Sequence, residues 1–280
     1  MPNAKELLQQ GELTAAIDQI ISEVKARPTD TSARIFLFEL LCFAGELDRA
    51  EKQLDVIGTQ SASAELGVLA YRNCLKGERE RRQLWKDGTP PHFLSEPPPY
   101  VDLQLDAIKK TIAGELGEAR ELLDKAEAQR PDSPCLCDGE EVYDWRDADD
   151  FTASILEVIV KDEYVWLPIE QIRTMTIAVP ETLRDLLFVP VQIETVDGTL
   201  GQFFAFTLYA GSDVSPDNLI RLGRKTEWEA LSEDLARGVG LKMWMLGDGD
   251  KTIFEVKKIE FPERAEAETE EDETVVVSGE

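Results

Sequence analysis

GELTAAIDQIISEVKARPTDTSARIFLFELLCFAGELDRA, residues 11–50, opens on a phrase that recurs. Gly11-Glu12-Leu13 returns as Gly45-Glu46-Leu47, and again as Gly114-Glu115-Leu116. A small residue keeps the same register, since Ala16, Ala50 and Ala119 each stand five positions past their glycine. Pro28 and Pro131 stand seventeen past the first and third glycines, while Ala62 takes that place in the second copy. The glycine suits a turn that closes one helix, the alanine a close crossing of two helices, and the proline the end of the second helix. Leu13, Ile17 and Ile20 form an apolar stripe in the first copy, as Leu116, Leu122 and Leu123 do in the third. The spacing of the first two copies is the tetratricopeptide period, a helix–turn–helix unit of roughly 34 residues. Phe38 stands where a small residue is usual in such units.

Helices are expected over residues 4–10, 13–27, 31–44, 47–57, 62–86, 101–113 and 116–129. Residues 87–99, with five prolines, break the series as a loop. Residues 131–139 read as a linker, after which the apolar period shortens from a helical repeat to alternation. Residues 154–160 and 164–167 read as strands. Residues 188–194 and 201–209 flank Asp197-Gly198, a hairpin signal. Residues 241–246 and 252–261 flank a second turn at Gly247-Asp248-Gly249, and helical patterns fall at 180–187 and 226–236. The expected fold is α+β and multidomain. A tetratricopeptide-like helical domain (1–130) precedes a mostly antiparallel α+β domain (140–262), and residues 263–280 form an acidic disordered tail.

Composition narrows the function. The 280 residues carry a net charge of −26, of which residues 263–280 supply eight acids against one arginine. Nucleic acid and anionic membrane are poor partners for such a chain, because both are held by clustered lysine and arginine. A basic or amphipathic protein surface fits better. No apolar run approaches the roughly 18 residues a membrane span requires, and no secretory signal follows Met1, so a soluble cytoplasmic protein is expected. Cys42, Cys74, Cys135 and Cys137 do not form a disulfide or zinc pattern.

No catalytic constellation emerges, and no cofactor is expected. His92 is the single histidine and lies in the proline loop. Asp248-Gly249-Asp250-Lys251-Thr252 spells the D-x-D-x-T nucleophile motif of haloacid-dehalogenase-type phosphatases. Only the short stretch from Ile253 to Glu280 follows it. A metal-dependent phosphatase at Asp248 and Asp250 therefore lacks the downstream lysine and carboxylates it needs, and a polar hairpin turn is the reading preferred. Four of the five tryptophans, Trp145, Trp166, Trp228 and Trp244, fall in the second half, where core packing is their expected role.

In tetratricopeptide arrays the first helix of each pair lines the concave face. Counted from Thr31, that face takes Ser32, Ile35, Glu39, Cys42 and Phe43. Ile35, Glu39, Cys42 and Phe43 are therefore the candidate partner-binding residues, suited to an amphipathic helix with lysine or arginine flanks. The competing expectation is that so short an array folds this face against the second domain.

Several segments taken in order are similar to a known family. Tyr143-Asp144-Trp145-Arg146-Asp147-Ala148-Asp149, Ile155-Leu156-Glu157 and Tyr164-Val165-Trp166-Leu167-Pro168 resemble the opening of the C-terminal domain of the ImpE/TagJ family. Arg184-Asp185-Leu186-Leu187-Phe188-Val189-Pro190 is similar to its R-D-L-L-W-x-P signature, with Phe188 in place of Trp. Leu208-Tyr209-Ala210-Gly211-Ser212, Gly223-Arg224-Lys225-Thr226-Glu227-Trp228 and Gly238-Val239-Gly240 follow in the family's order. Asp149-Asp150-Phe151 departs from an expected D-S-R, and Leu241-Lys242 from a common Gln-Arg. The resemblance spans residues 1–262. It implies a non-enzymatic accessory protein of bacterial type VI secretion. Such a protein would bind the small subunit of the contractile sheath through a helix near that subunit's N-terminus, and would touch the sheath-recycling ATPase. A generic tetratricopeptide-type scaffold or co-chaperone for another peptide is the alternative.

Overall fold

Each of the three repeated glycines sits in the left-handed region, with φ of 83° at Gly11, 71° at Gly45 and 79° at Gly114. The turns they make are the same. Glu12, Glu46 and Glu115 each donate a backbone N–H to the carbonyl five residues back, on Leu7, Leu41 and Lys110, at 2.9 Å. That bond satisfies a helix-end carbonyl that has no partner within the helix. Ala16, Ala50 and Ala119 are fully buried, as a close approach of the paired helices requires.

The computed structural model describes residues 2–60 and 65–262. Its helices are α1 (Ala4–Gln9), α2 (Leu13–Ala26), α3 (Thr31–Phe43), α4 (Leu47–Gln60), α5 (Glu65–Asp87), α6 (Pro99–Ile112) and α7 (Leu116–Gln129). Asp30 caps α3 by accepting the Ala33 N–H at 3.0 Å, which fixes the start of the helix that carries the candidate binding residues. The start of the helix expected over 62–86 and the tail read over 263–280 lie outside the described residues.

The second half is built on an eight-stranded antiparallel sheet. Its strands are β1 (Cys135–Cys137), β2 (Glu140–Val142), β4 (Ile155–Val160), β5 (Glu163–Pro168), β6 (Ile172–Ile177), β7 (Phe188–Thr195), β8 (Leu200–Phe206) and β13 (Lys258–Glu260), in the order β2-β1-β13-β6-β7-β8-β4-β5. A three-stranded sheet joins β3 (Trp145–Asp147), β11 (Met243–Leu246) and β12 (Gly249–Thr252). A two-stranded ribbon pairs β9 (Thr226–Ala230) with β10 (Ala236–Gly240), after the short helix α8 (Asn218–Arg221). The hairpin expected at Asp197-Gly198 is the β7–β8 connection.

Four expectations are corrected. Cys135–Cys137 lies within the span read as a linker but is strand β1, with both cysteines turned inward and Leu136 outward. Residues 226–236 form the β9–β10 ribbon rather than a helix. Pairing with the glycine-containing strand Ala236–Gly240 overrides the helical preference of its Glu and Ala. Residues 252–261 are not one strand. Thr252 and Glu255 close a capping box around a short 3-10 turn, Ile253 is drawn fully into the core, and only Lys258–Glu260 resumes as a strand. In residues 180–187, likewise, the helical turn is a short 3-10 segment, Leu183–Leu186.

The two halves share their cores. One apolar cluster joins α1 to α5 with Leu208 and Leu222 from the sheet half. Another joins α5, α6 and α7 with Ile155, Ile159, Tyr164, Trp166, Phe188 and Phe206. A third fills the opposite face of the sheet, where Trp145 and Trp244 meet edge to face at 4.9 Å. Buried on both faces, β4 and β5 read as mostly apolar runs, broken in β4 by Glu157, rather than as alternation. The α5 helix approaches β4 closely at Gly77, where an added Cβ would stand 2.8 Å from Ile159 Cγ1.

The sheet's β5 edge is covered. His92 in the proline loop donates its N–H to Tyr164 O at 2.9 Å and accepts from Trp166 N at 3.0 Å, so the loop runs beside β5 as one more length of backbone. His92 itself is exposed to solvent.

Candidate partner-binding site

Helix α3 turns the four candidate residues in different directions. Ile35 is half-buried, whereas Glu39 and Cys42 are 7% exposed and Phe43 is 1% exposed. What covers them is the sheet half. The 3-10 turn Leu183–Leu186 sets Arg184 beside α3, and Arg184 Nη1 meets Glu39 Oε1 at 3.3 Å. The same guanidinium lies 4.6 Å above the Tyr71 ring. Burial raises the Glu39 carboxyl above its ordinary range, with Arg184 opposing the rise. Cys42 and Phe43 line a narrow pocket of about 30 Å³ together with Leu187, Phe188, Leu208 and Tyr209. Three of the four candidate residues therefore face the second domain and offer a partner no open surface.

Three of the segments that resemble the ImpE/TagJ family, those holding Arg184, Leu208 and Arg224, meet the helical half. Arg184 reaches Glu39, and Asp185 accepts the N–H groups of Glu181 and Thr182 at 3.0 and 2.8 Å, which shapes the turn. Phe188 packs on Phe206 at 5.7 Å. Leu208 O accepts Arg81 Nη1 at 2.8 Å, and the Arg81 guanidinium lies 4.0 Å over the Phe206 ring. Arg224 Nη1 donates to Gln9 O at 3.0 Å, closing the carbonyl end of α1.

Beneath the seam lies a buried ionic network. Lys242 Nζ meets Asp147 Oδ2 at 2.8 Å and Glu157 Oε2 at 2.9 Å, with all three side chains nearly inaccessible. The Tyr209 hydroxyl donates to Asp147 Oδ1 at 2.9 Å and accepts the Met243 N–H at 3.1 Å. Tyr164 donates to Glu157, and Trp166 Nε1 donates to the Tyr164 hydroxyl at 2.6 Å. Arg81 pairs with Glu78 at 2.6 Å. Asp149 accepts N–H groups from Gly238 at 2.8 Å and Phe151 at 3.0 Å. Burial and the nearby Asp147 push its carboxyl up to about 6. Lys242 and Arg81 hold Glu157 below its usual range against the effect of burial.

Sequence reading missed Lys242 and Arg81 as organising residues, yet a signal was present. Glu157 interrupts the apolar run Ile155-Leu156-Glu157-Val158-Ile159, and a carboxylate inside such a strand requires a buried partner.

The chemistry considered from sequence is scattered. Asp248 and Asp250 lie on the β11–β12 hairpin, where Asp248 accepts the Tyr143 hydroxyl at 2.9 Å. The cysteines are free and buried, and burial pushes the Cys135 thiol up to about 12. Among the described residues no group of three or more His, Cys, Asp or Glu side chains is placed to hold a metal ion. Nor, among them, is any helix long and apolar enough to cross a membrane. Trp145, Trp166 and Trp244 are core residues, while Trp228 is 46% exposed.

Comparison with known proteins gives this architecture a family. Residues 139–260 match the family model described as ImpE protein. The chain is 32% identical over 259 residues to the type VI secretion system accessory component TagJ of Pseudomonas aeruginosa, covering 92% of this chain and 90% of that protein. Its fold is similar to the X-ray crystal structure of protein VPA1032 from Vibrio parahaemolyticus, with a TM-score of 0.86 at 23% identity, over 93% of this chain and 98% of that one. With both halves of the molecule included in the match, the chain belongs to the ImpE/TagJ family of type VI secretion accessory proteins.

Proposed function

We propose that this chain is a non-catalytic, cytoplasmic adaptor of type VI secretion that binds the small subunit of the contractile sheath through an amphipathic helix of that subunit. The observation that carries the reading is the reach of the relationship to TagJ, which runs over 92% of the chain rather than over one shared module. A net charge of −26 favours a partner helix with lysine or arginine flanks.

With Glu39, Cys42 and Phe43 covered, the seat for such a helix is assigned to the open amino end of α3. A groove of about 270 Å³ lies there between α1, α2 and α3, lined by Ile20, Ala33 and Phe36, with Glu23 and Asp30 but also Lys5 and Arg27 at its rim. Ile35, half-buried on the same helix, packs against the helical core beside the groove rather than lining it. The apolar floor suits the anchors of an amphipathic helix, and because Arg27 already pairs with Asp30 at 3.3 Å, Glu23 is the carboxylate set to meet a basic flank.

Calorimetric titration of the full chain with the N-terminal peptide of the sheath small subunit tests both parts. Ser32→Trp, which fills the groove from an exposed position, and Glu23→Lys, which reverses its rim charge, are expected to weaken binding by about tenfold or more, with circular dichroism unchanged. No binding to the wild-type chain sinks the sheath reading. Wild-type binding that both variants retain in full sinks the groove as its seat. The adaptor reading also expects no magnesium-dependent phosphatase activity, and hydrolysis abolished by Asp248→Asn would overturn it.

A further inference from the structure

The two edges of the eight-stranded sheet are treated differently. The proline loop covers β5, but β2 ends the sheet at the other side, and among the described residues no strand pairs with its outer edge. Uncovered edge backbone is a template for another strand. Beside it runs a groove of about 620 Å³, whose apolar lining includes Leu136, Val142, Tyr143 and Phe261. Leu136 is 39% exposed and Tyr143 is 62% exposed.

Register fixes the charges. Leu136 on β1 is directly opposite Glu141 on β2 and Glu260 on β13, so an exposed leucine lies between two carboxylates on one face of the sheet. Lys258 pairs with Glu260 at 2.7 Å, and among the described residues no cation pairs with Glu141. Glu140 is exposed on the same short strand. An acidic edge repels a second copy of a chain with net charge −26, and it repels this chain's residues 263–280, with their eight acids. The edge selects for a strand of opposite charge.

We propose that the open edge of β2 and the apolar groove beside it dock an extended segment of another protein in which apolar residues alternate with lysine or arginine. The added strand hydrogen-bonds to β2, sets every second side chain beside Val142 and Phe261 on the face that Cys135 shares, and presents its cations to Glu141 on the opposite face, which carries Leu136. This surface is separate from the α3 groove and takes a strand rather than a helix. It goes beyond the sheath reading and does not depend on it.

The test uses the full chain and a fluorescent, end-capped nonapeptide of alternating valine and lysine, followed by anisotropy. Saturable binding is expected, with slowed amide exchange at Glu140, Glu141 and Val142. Leu136→Lys and Glu141→Lys, both at exposed positions, should weaken it by about tenfold or more. Glu121→Lys, the same charge change on the exposed face of α7, should alter it less than about twofold. Absence of saturable binding overturns the proposal, as does an equal loss in Glu121→Lys, which would mark charge attraction alone. Binding that tightens when residues 263–280 are removed would make the chain's own tail the occupant. A dimer that dissociates on Leu136→Lys would make the occupant a second copy. Either result overturns the assignment to another protein.

Discussion

Glu39 and Arg184, 145 positions apart, meet at 3.3 Å where helix α3 passes the turn before β7. Removing the arginine leaves a buried carboxylate without its counter-charge. Arg184→Met should therefore destabilise the chain on the order of 3 kcal/mol, read from urea denaturation. Glu39→Gln combined with Arg184→Met should recover much of that loss. A double variant as unstable as the single one would show that the arginine acts through its stacking on Tyr71 instead.

Phe43 is 1% exposed and packs in the seam. Phe43→Ala should lower stability by about 3–5 kcal/mol, as large aromatic truncations in cores do. A loss below about 1 kcal/mol would mean that the helical and sheet halves separate readily in solution.

Lys242 is shared by two buried carboxylates, Asp147 and Glu157. Replacing it with methionine keeps the stem but leaves both acids uncompensated, so Lys242→Met should cost about 3–5 kcal/mol. Thermal melts or guanidinium titration would each detect a change of that size. A variant with wild-type stability would show that water reaches the pair.

Gly45 and Gly114 hold equivalent turns, yet their surroundings differ. A Cβ at Gly45 would stand 2.1 Å from Asp213 Oδ2, whereas at Gly114 nothing lies within 4 Å. Gly114→Ala should incur only the left-handed backbone penalty, about 1–2 kcal/mol. Gly45→Ala should exceed it, because Asp213 must also move and loosen its 3.2 Å contact with Arg82. Equal losses would argue that Asp213 shifts freely.

The Asp149 carboxyl, lifted from 3.8 to about 6, binds its proton more tightly in the folded chain than in the unfolded one. Its contribution to stability is full below pH 4 and declines as pH rises through 6, because unfolding then lets the group ionise in water. Other carboxyls run the opposite way. Asp144, Asp150 and Glu157 are held low and lose their contribution as pH falls. Comparing wild type with Asp149→Asn at each pH cancels those groups. Between pH 4 and pH 7 the difference should move on the order of 2 kcal/mol in favour of the asparagine variant. A difference that stays flat would show that Asp149 is ionised throughout.

The helical half was legible because its signals are local. A glycine, an alanine five residues on and a proline mark Gly11, Ala16 and Pro28, and neighbours in sequence decide what those residues do. The β7–β8 hairpin was legible for the same reason, through Asp197-Gly198. The β9–β10 ribbon was not, because nothing within Thr226–Ala230 announces its pairing with Ala236–Gly240. The surroundings of the candidate site were hidden for a related reason. Periodicity puts Glu39, Cys42 and Phe43 on one side of α3, but whether water or Arg184 meets that side depends on a residue 145 positions away. Lys242 illustrates the limit further, since its two carboxylates come from separate strands.

Arg224 and Arg221 donate to Gln9 O and Ala44 O, at 3.0 and 3.5 Å, so the ends of α1 and α3 are finished by residues 215 and 177 positions later. During synthesis the opening helices emerge long before the side chains that complete their ends and cover α3. A ribosome-bound chain stopped before residue 180 would display Cys42 and Phe43 to the cell, and would be the form most exposed to chaperones and proteases. Once Leu208, Leu222 and the two arginines arrive, the early and late segments close together, so heat or denaturant should melt the whole described molecule in a single transition.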